Sequence, residues 1–77
     1  MTLTIYSKPG CHLCDEMKKV VAAVARRADV HVEEIDISTD PTLIKEYGEQ
    51  IPVLLADGRK VAKYRITESQ LLRIISL

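Results

Sequence analysis

The chain has 77 residues, 47% hydrophobic and 29% charged, and its eleven basic and eleven acidic residues give a formal net charge of zero. These proportions are too apolar for a disordered chain, and without a basic excess we expect neither a nucleic-acid nor a membrane partner. A chain of this length predicts a single domain over residues 1–77. No signal peptide and no bilayer-spanning apolar run is recognisable, so we expect a cytoplasmic protein.

Three elements are predicted in the first half of the chain. Residues 3–6 are β-prone and are followed by Pro9-Gly10, which predicts a strand that ends in a tight loop. Apolar residues at three- and four-residue steps then predict a helix from about residue 11 to residue 27. Residues 30–37 are rich in β-branched side chains and predict a second strand. Its imperfect alternation indicates either a bulge or an early strand end.

A second helix and a third strand follow. Asp40 is a good N-cap and Pro41 suits the first helical position, and we expect the helix to stop at Gly48. Residues 51–56 form a continuous apolar run, which is typical of a strand buried on both faces.

The last part of the chain predicts a hairpin and a closing helix. Asp57-Gly58 is a strong hairpin signal that leads into a polar, edge-like strand over residues 60–64. Residues 67–70, Thr-Glu-Ser-Gln, fit a capping box at the start of the last helix. The predicted order is therefore β-α-β-α-β-β-α, an α/β fold. Its first two strands lie parallel and its last two form a hairpin, so the sheet is mixed.

Cys11 and Cys14 are the only cysteines, and they stand at the start of the first predicted helix. Disulfide exchange needs the thiolate, whereas free cysteine, with a pKa of about 8.5, is mostly thiol at neutral pH. Unsatisfied N–H groups and the positive end of the helix dipole lower that pKa. Since the residue nearest the helix end gains most, we predict that Cys11 is the nucleophile. Cys14, about one turn deeper, then resolves the mixed disulfide.

A metal site is the main alternative for this pair. Structural zinc usually takes four ligands, and the chain has no second Cys-x-x-Cys motif, while its two histidines are His12 and His31. We therefore predict redox chemistry and no metal site. Two other hypotheses stay open. One is a non-enzymatic module in which Cys11 and an external thiol bind a metal or an iron–sulfur cluster between two chains. The other is a partner-binding fold whose cysteines are spare.

Three motifs now suggest a family: residues 6–14 (Tyr-Ser-Lys-Pro-Gly-Cys-His-Leu-Cys), Ile51-Pro52-Val53 and Asp57-Gly58. The chain resembles, over essentially its whole length, the glutaredoxins of the thioredoxin superfamily, and most closely their small bacterial glutaredoxin-like branch. The resemblance implies a thioredoxin/glutaredoxin fold, with a four-stranded mixed sheet in the order 2-1-3-4 and helices on both faces.

The same resemblance implies a function. It implies a thiol–disulfide oxidoreductase that serves electron transport and cell redox homeostasis. We expect a monomer, although the sequence does not fix the oligomeric state. Its substrates would be disulfide-bearing proteins or glutathione mixed disulfides. No cofactor would be tightly bound, and glutathione or a thioredoxin-type reductase would supply the electrons.

The resemblance also assigns roles around the cysteines. It implies a cis peptide between Ile51 and Pro52, with the backbone of Ile51 offered to a bound peptide or glutathione. Lys8 stands where glutaredoxins commonly carry a lysine, to stabilise the thiolate or bind a glutathione carboxylate, although a solvated lysine is the simpler alternative. Tyr6 either lines the site or belongs to the core. His12 either adds positive charge or faces solvent.

The chain departs from the family after the fourth strand. Glutaredoxins that bind glutathione well usually carry a Gly-Gly turn there, whereas residues 63–68 read Lys-Tyr-Arg-Ile-Thr-Glu. Side chains then occupy the space for the glutamyl end of glutathione. Arg65 and the N–H groups after Thr67 are the remaining groups for a carboxylate. The sequence therefore predicts the thiol chemistry without fixing glutathione as the partner.

Overall fold

The computed structural model describes residues 1–76 and contains four strands and three helices. The strands are β1 (Thr2–Ser7), β2 (His31–Asp36), β3 (Val53–Ala56) and β4 (Arg59–Lys63). The helices are α1 (His12–Ala25), α2 (Pro41–Tyr47) and α3 (Glu68–Ile75), and a 3-10 turn over Ile37–Thr39 precedes α2. The predicted element order is confirmed. Within these 76 residues, no helix is long and apolar enough to cross a membrane.

The sheet has the order β2-β1-β3-β4. Strand β1 runs parallel to β2 and antiparallel to β3, and β3 runs antiparallel to β4. The predicted mixed sheet is confirmed. Strands β1 and β2 pair without a shift as far as Ser7 and Asp36, and Ile37 already belongs to the 3-10 turn. Of the two alternatives for the second strand, the structure therefore shows no bulge within β2 and an end one residue earlier than predicted. Val32 and Ile35 both lie within this regular ladder, on opposite faces of the sheet, and Val32 is exposed.

The sheet separates two apolar clusters, so helices cover both of its faces. Successive side chains of a strand point to opposite faces, and accordingly Leu3 and Ile5 join one cluster while Tyr6 joins the other. The larger cluster packs α1 and α3 against the sheet. The smaller cluster consists of Cys14, Ile37 and Ile51, with Tyr6, Cys11, Leu43 and Tyr47 packed against it. We call this second set the site cluster.

The buried strand, the hairpin turn and the helix cap that the sequence predicts are all present in the structure. All four residues of β3 are buried, as expected of an inner strand. Asp57 and Gly58 both take a left-handed conformation, with φ of 49° and 85°, as a tight two-residue hairpin requires. Asp40 caps α2 by accepting hydrogen bonds from the N–H groups of Thr42 and Leu43. These contacts confirm the predicted hairpin and the predicted start of α2.

The predicted capping box of α3 is also formed. The Thr67 hydroxyl accepts a hydrogen bond from the Gln70 N–H at 3.1 Å, and the Gln70 side chain accepts one from the Thr67 N–H at 3.0 Å. Two N–H groups at the start of the helix are thereby satisfied.

Removing this cap should weaken the fold. We expect Thr67→Ala to lower the free energy of unfolding by about 1 kcal/mol, because the Gln70 N–H loses its acceptor. Urea unfolding measures the change. Ser69→Ala, in the same exposed turn but outside the capping box, is the matched control. Equal stabilities of the two variants would contradict the assigned cap.

Candidate functional site

A short loop carries the chain from β1 to the start of α1. Gly10 lies in this loop with a φ of 76°, a left-handed conformation that glycine adopts without steric cost. The next residue, Cys11, is extended and is the N-cap of α1. The sharp change of direction at Gly10 therefore places the first cysteine at the exposed, electropositive end of the helix.

Cys11 and Cys14 form a disulfide with their Cα atoms 5.2 Å apart. The Sγ of Cys11 accepts a hydrogen bond from the backbone N–H of Cys14, at 3.1 Å. A thiolate on Cys11 is stabilised at this position by the same donor and by the helix dipole, since both favour negative charge. The geometry thus fits the sequence-based prediction that Cys11 is the more acidic thiol.

The two sulfurs differ in access. Cys14 is completely buried, with 0% of its surface exposed, and belongs to the site cluster. Cys11 is only half-buried. An external disulfide can therefore reach Cys11 first, whereas Cys14 is within reach of Cys11. This arrangement fits a redox thiol module with an attacking and a resolving cysteine.

The segment that leads into β3 lies against the cysteine pair. The peptide between Ile51 and Pro52 is cis, as predicted. Strand pairing between β1 and β3 ends at Tyr6 and Val53. In the part of the chain that the structure describes, no hydrogen bond engages the N–H or the C=O of Ile51. Since Ile51 shares the site cluster with Cys14, a free backbone donor and acceptor stand near the reactive sulfurs.

Tyr6 supports the pair from the end of β1. Its ring packs on that of Tyr47, with centroids 5.0 Å apart and an interplanar angle of 53°. Burial raises the pKa of the Tyr6 phenol, and the neighbouring Tyr47, Glu46 and Asp40 raise it further. Tyr6 is half-buried against the site cluster, which also contains the cysteines. It is therefore both a core residue and a residue that lines the site.

The remaining predicted residues lie around this centre. Lys8 is exposed and lines a groove of about 750 Å³ that runs along α2. The side chain of His12 is 85% exposed and lies 3.2 Å from a carboxylate oxygen of Glu16, so it faces solvent. Arg65 is exposed and lines a second groove, of about 390 Å³, between α1 and the start of α3. The structure therefore brings Tyr6 and Ile51 into contact with the cluster that holds the cysteines, keeps Pro52 buried next to Ile51, and leaves the charged residues at the rim.

Two residues near the site had no role in the sequence-based prediction. Ile37, buried in the site cluster, also lines the groove along α2. Tyr64 lines both grooves and has a left-handed backbone, with a φ of 68°. The only signal for Tyr64 was the absence of glycine after the fourth strand. Among residues 1–76, no group of three or more histidine, cysteine, aspartate or glutamate side chains is arranged to hold a metal ion.

The fold and the cysteine pair define a protein of the thioredoxin superfamily. The chain belongs to the family described as the glutaredoxin-like domain (DUF836), whose model matches residues 2–76. A structure from X. campestris superposes with a TM-score of 0.80 at 29% identity, over 96% of this chain and 95% of that one. A thioredoxin from Halobacterium salinarum superposes with a TM-score of 0.67 at 28% identity, over 97% of this chain and 71% of its own. An uncharacterised protein of Mycobacterium tuberculosis is 25% identical, over 87% of this chain and 74% of its own length.

The hydrogen bond to Cys11 predicts an acidic thiol. In a reduced Cys14→Ser variant, we expect the rate of Cys11 alkylation by iodoacetamide to rise with a midpoint clearly below the value of about 8.5 for free cysteine. The matched control is Cys11→Ser, whose buried Cys14 should react more slowly. A midpoint at or above that of free cysteine would contradict the proposed stabilisation.

The raised pKa of Tyr6 predicts a pH dependence of stability. The folded protein holds the phenol proton more tightly than the unfolded chain, whose pKa is near 10.0. This contribution is complete below that pKa and is lost as the pH rises through the raised value. Between about pH 9 and about pH 12, we therefore expect the free energy of unfolding to fall less steeply in Tyr6→Phe than in the wild type. Parallel curves would show that Tyr6 titrates normally.

Proposed function

We propose that this protein is a cytoplasmic dithiol–disulfide oxidoreductase that reduces disulfides in proteins or mixed disulfides with glutathione. The observation that carries the proposal is the pairing of one reachable, hydrogen-bonded sulfur on Cys11 with one buried sulfur on Cys14. Membership of the glutaredoxin-like family and the likeness to a thioredoxin of known structure support it.

The reaction takes two exchanges. The Cys11 thiolate attacks one sulfur of the substrate disulfide, forms a mixed disulfide and displaces the other substrate sulfur, which takes up a proton. Cys14, as its thiolate, then attacks the Cys11 sulfur, closes the Cys11–Cys14 disulfide and releases the second substrate thiol. Two electrons pass from the protein to the substrate, and the protein is left in the disulfide form that the structure shows.

The backbone of Ile51 positions the substrate in this account. Its N–H and C=O have no partner among the described residues and lie at the end of the β1–β3 ladder. A substrate backbone that pairs with them extends the sheet by one pair of hydrogen bonds and holds its disulfide near Cys11. Tyr6 and Pro52 form the apolar support behind this contact. Lys8 contributes positive charge at the rim.

The electrons reside on the two cysteines, so the reaction needs no tightly bound cofactor. The oxidised protein must be reduced by an external two-electron thiol donor, either glutathione or a thioredoxin-type reductase. A completely buried Cys14 leaves Cys11 as the sulfur that such a donor attacks. We propose that the protein acts as a monomer.

Trapping the intermediate tests the proposed reaction. With a disulfide-bonded peptide, reduced Cys14→Ser should accumulate a mixed disulfide on Cys11, because the resolving thiol is missing. Mass spectrometry detects the added peptide. Cys11→Ser should not accumulate it, and the wild type should release free peptide thiol. Equal trapping on either cysteine would contradict the assigned roles.

Metal analysis and absorbance of the wild-type protein, purified without oxygen, distinguish disulfide reduction from a metal-binding module. We expect a colourless, metal-free protein that reduces the peptide disulfide at once. A stoichiometric metal or an iron–sulfur absorbance, together with no turnover, would favour the module.

A further inference from the structure

Tyr64 occupies a backbone conformation that suits glycine. Its φ of 68° lies in the left-handed region, where a side chain meets steric strain. The surrounding contacts hold it there. Its N–H donates to the Pro52 C=O at 2.8 Å, and its hydroxyl donates to the Glu49 C=O at 3.0 Å. The Lys63 ammonium lies 5.5 Å from the ring centroid. Strained residues fixed in this way are concentrated at functional sites.

Despite these contacts, Tyr64 presents much of its surface to solvent. It is 41% exposed, and Ile44 on α2 is 45% exposed. Both line the groove along α2, together with the buried Ile37 that belongs to the site cluster. The groove therefore offers apolar surface that continues into the surroundings of Cys14.

The charges of this groove are balanced. Lys8, Lys45, Glu46 and Glu49 line it, and none of the four makes an ion pair with another residue in the range 1–76. A groove with two cations and two anions has no net attraction for an anionic small thiol such as glutathione. It complements a polypeptide segment that carries charges of both signs around an apolar side chain.

The neighbouring groove gives a glutathione carboxylate little support. The capping box of α3 already satisfies the N–H groups of Thr67 and Gln70. The acidic side chain of Glu68 lies in the first helical turn and repels a carboxylate there. Arg65 lines this groove, but Glu16 lines it as well.

We propose that Tyr64 determines the substrate class by forming the wall on which an extended polypeptide segment, next to the substrate disulfide, places an apolar side chain. Ile44 forms the opposite apolar contact in the same groove. This inference rests on the proposed disulfide reduction and makes protein disulfides, rather than glutathione disulfide, the preferred substrates. Tyr64 acts by binding, so it leaves the exchange chemistry at Cys11 unchanged.

Three disulfides and three variants test the inference. The probes are glutathione disulfide, hydroxyethyl disulfide and the disulfide of an acetylated, amidated Lys-Leu-Cys-Leu-Glu peptide, which carries one charge of each sign around its apolar side chains. Tyr64→Gly removes the wall, together with the hydroxyl bond to the Glu49 C=O, at a position whose left-handed φ glycine adopts without strain. Ile44→Ser alters the other side of the groove at an exposed position. Asp57→Gly is the matched control, since Asp57 is also left-handed but lies in the hairpin at the far end of β3.

The measured quantity is the rate at which each disulfide oxidises the reduced protein. We expect the wild type to prefer the peptide over glutathione disulfide. Tyr64→Gly and Ile44→Ser should each lose about tenfold toward the peptide, as expected for partial loss of one apolar contact, and stay within about twofold toward hydroxyethyl disulfide. Asp57→Gly should match the wild type on all three probes.

The outcomes are distinguishable. If Tyr64→Gly and Ile44→Ser both keep the wild-type ratio of peptide to hydroxyethyl disulfide rates, the inference is wrong while disulfide reduction stands. A wild type that prefers glutathione disulfide also overturns it. If Tyr64→Gly does not fold, Ile44→Ser decides. A wild type that reacts with none of the three disulfides contradicts the proposed function itself, and the inference with it.

Discussion

The hydrogen bond from the Cys14 N–H to the Cys11 sulfur is the contact on which the rest of the site depends. It makes Cys11 the N-cap of α1, a position where serine, threonine, aspartate or asparagine is usually preferred. The Cys11 sulfur is a weaker hydrogen-bond acceptor than the side-chain oxygen of those residues. Its position at the N-cap places it at the electropositive end of the helix. Cysteine stabilises the helix start less than serine would, and its presence at this position is explained by its thiol chemistry. Local departures from the most stabilising sequence are often found at functional sites.

The fold turns this one contact into a division of roles. Gly10 directs the chain so that Cys11 stays accessible, half-buried, where α1 begins, and the first turn of the helix carries Cys14 into the site cluster. Ile51 closes the other side of that cluster at the point where the β1–β3 ladder ends. The start of α1 therefore lies beside the ends of the two central strands, β1 and β3. This places the accessible cysteine, the resolving cysteine and the free backbone groups of Ile51 in one site.

Much of this arrangement could be predicted from the sequence because it follows from local rules. Asp40, Thr67 and Asp57-Gly58 each act within a few residues of themselves, and each was placed correctly. The early end of the second strand was left open, because it depends on pairing with β1 across the sheet.

The surroundings of the site were harder to predict. A left-handed tyrosine has no local signal, and Tyr64 keeps this conformation through contacts with Glu49 and Pro52, which are remote in sequence. The two grooves likewise form between elements that are far apart in the chain.

Limited alkylation of the reduced wild-type protein shows most clearly which cysteine is the nucleophile, because both thiols then compete in their native surroundings. Substoichiometric iodoacetamide at neutral pH, followed by peptide mapping, reports which sulfur is exposed and ionised. We expect nearly all of the label on Cys11, since Cys14 is completely buried. Label shared equally between the two cysteines, or found mainly on Cys14, would contradict it.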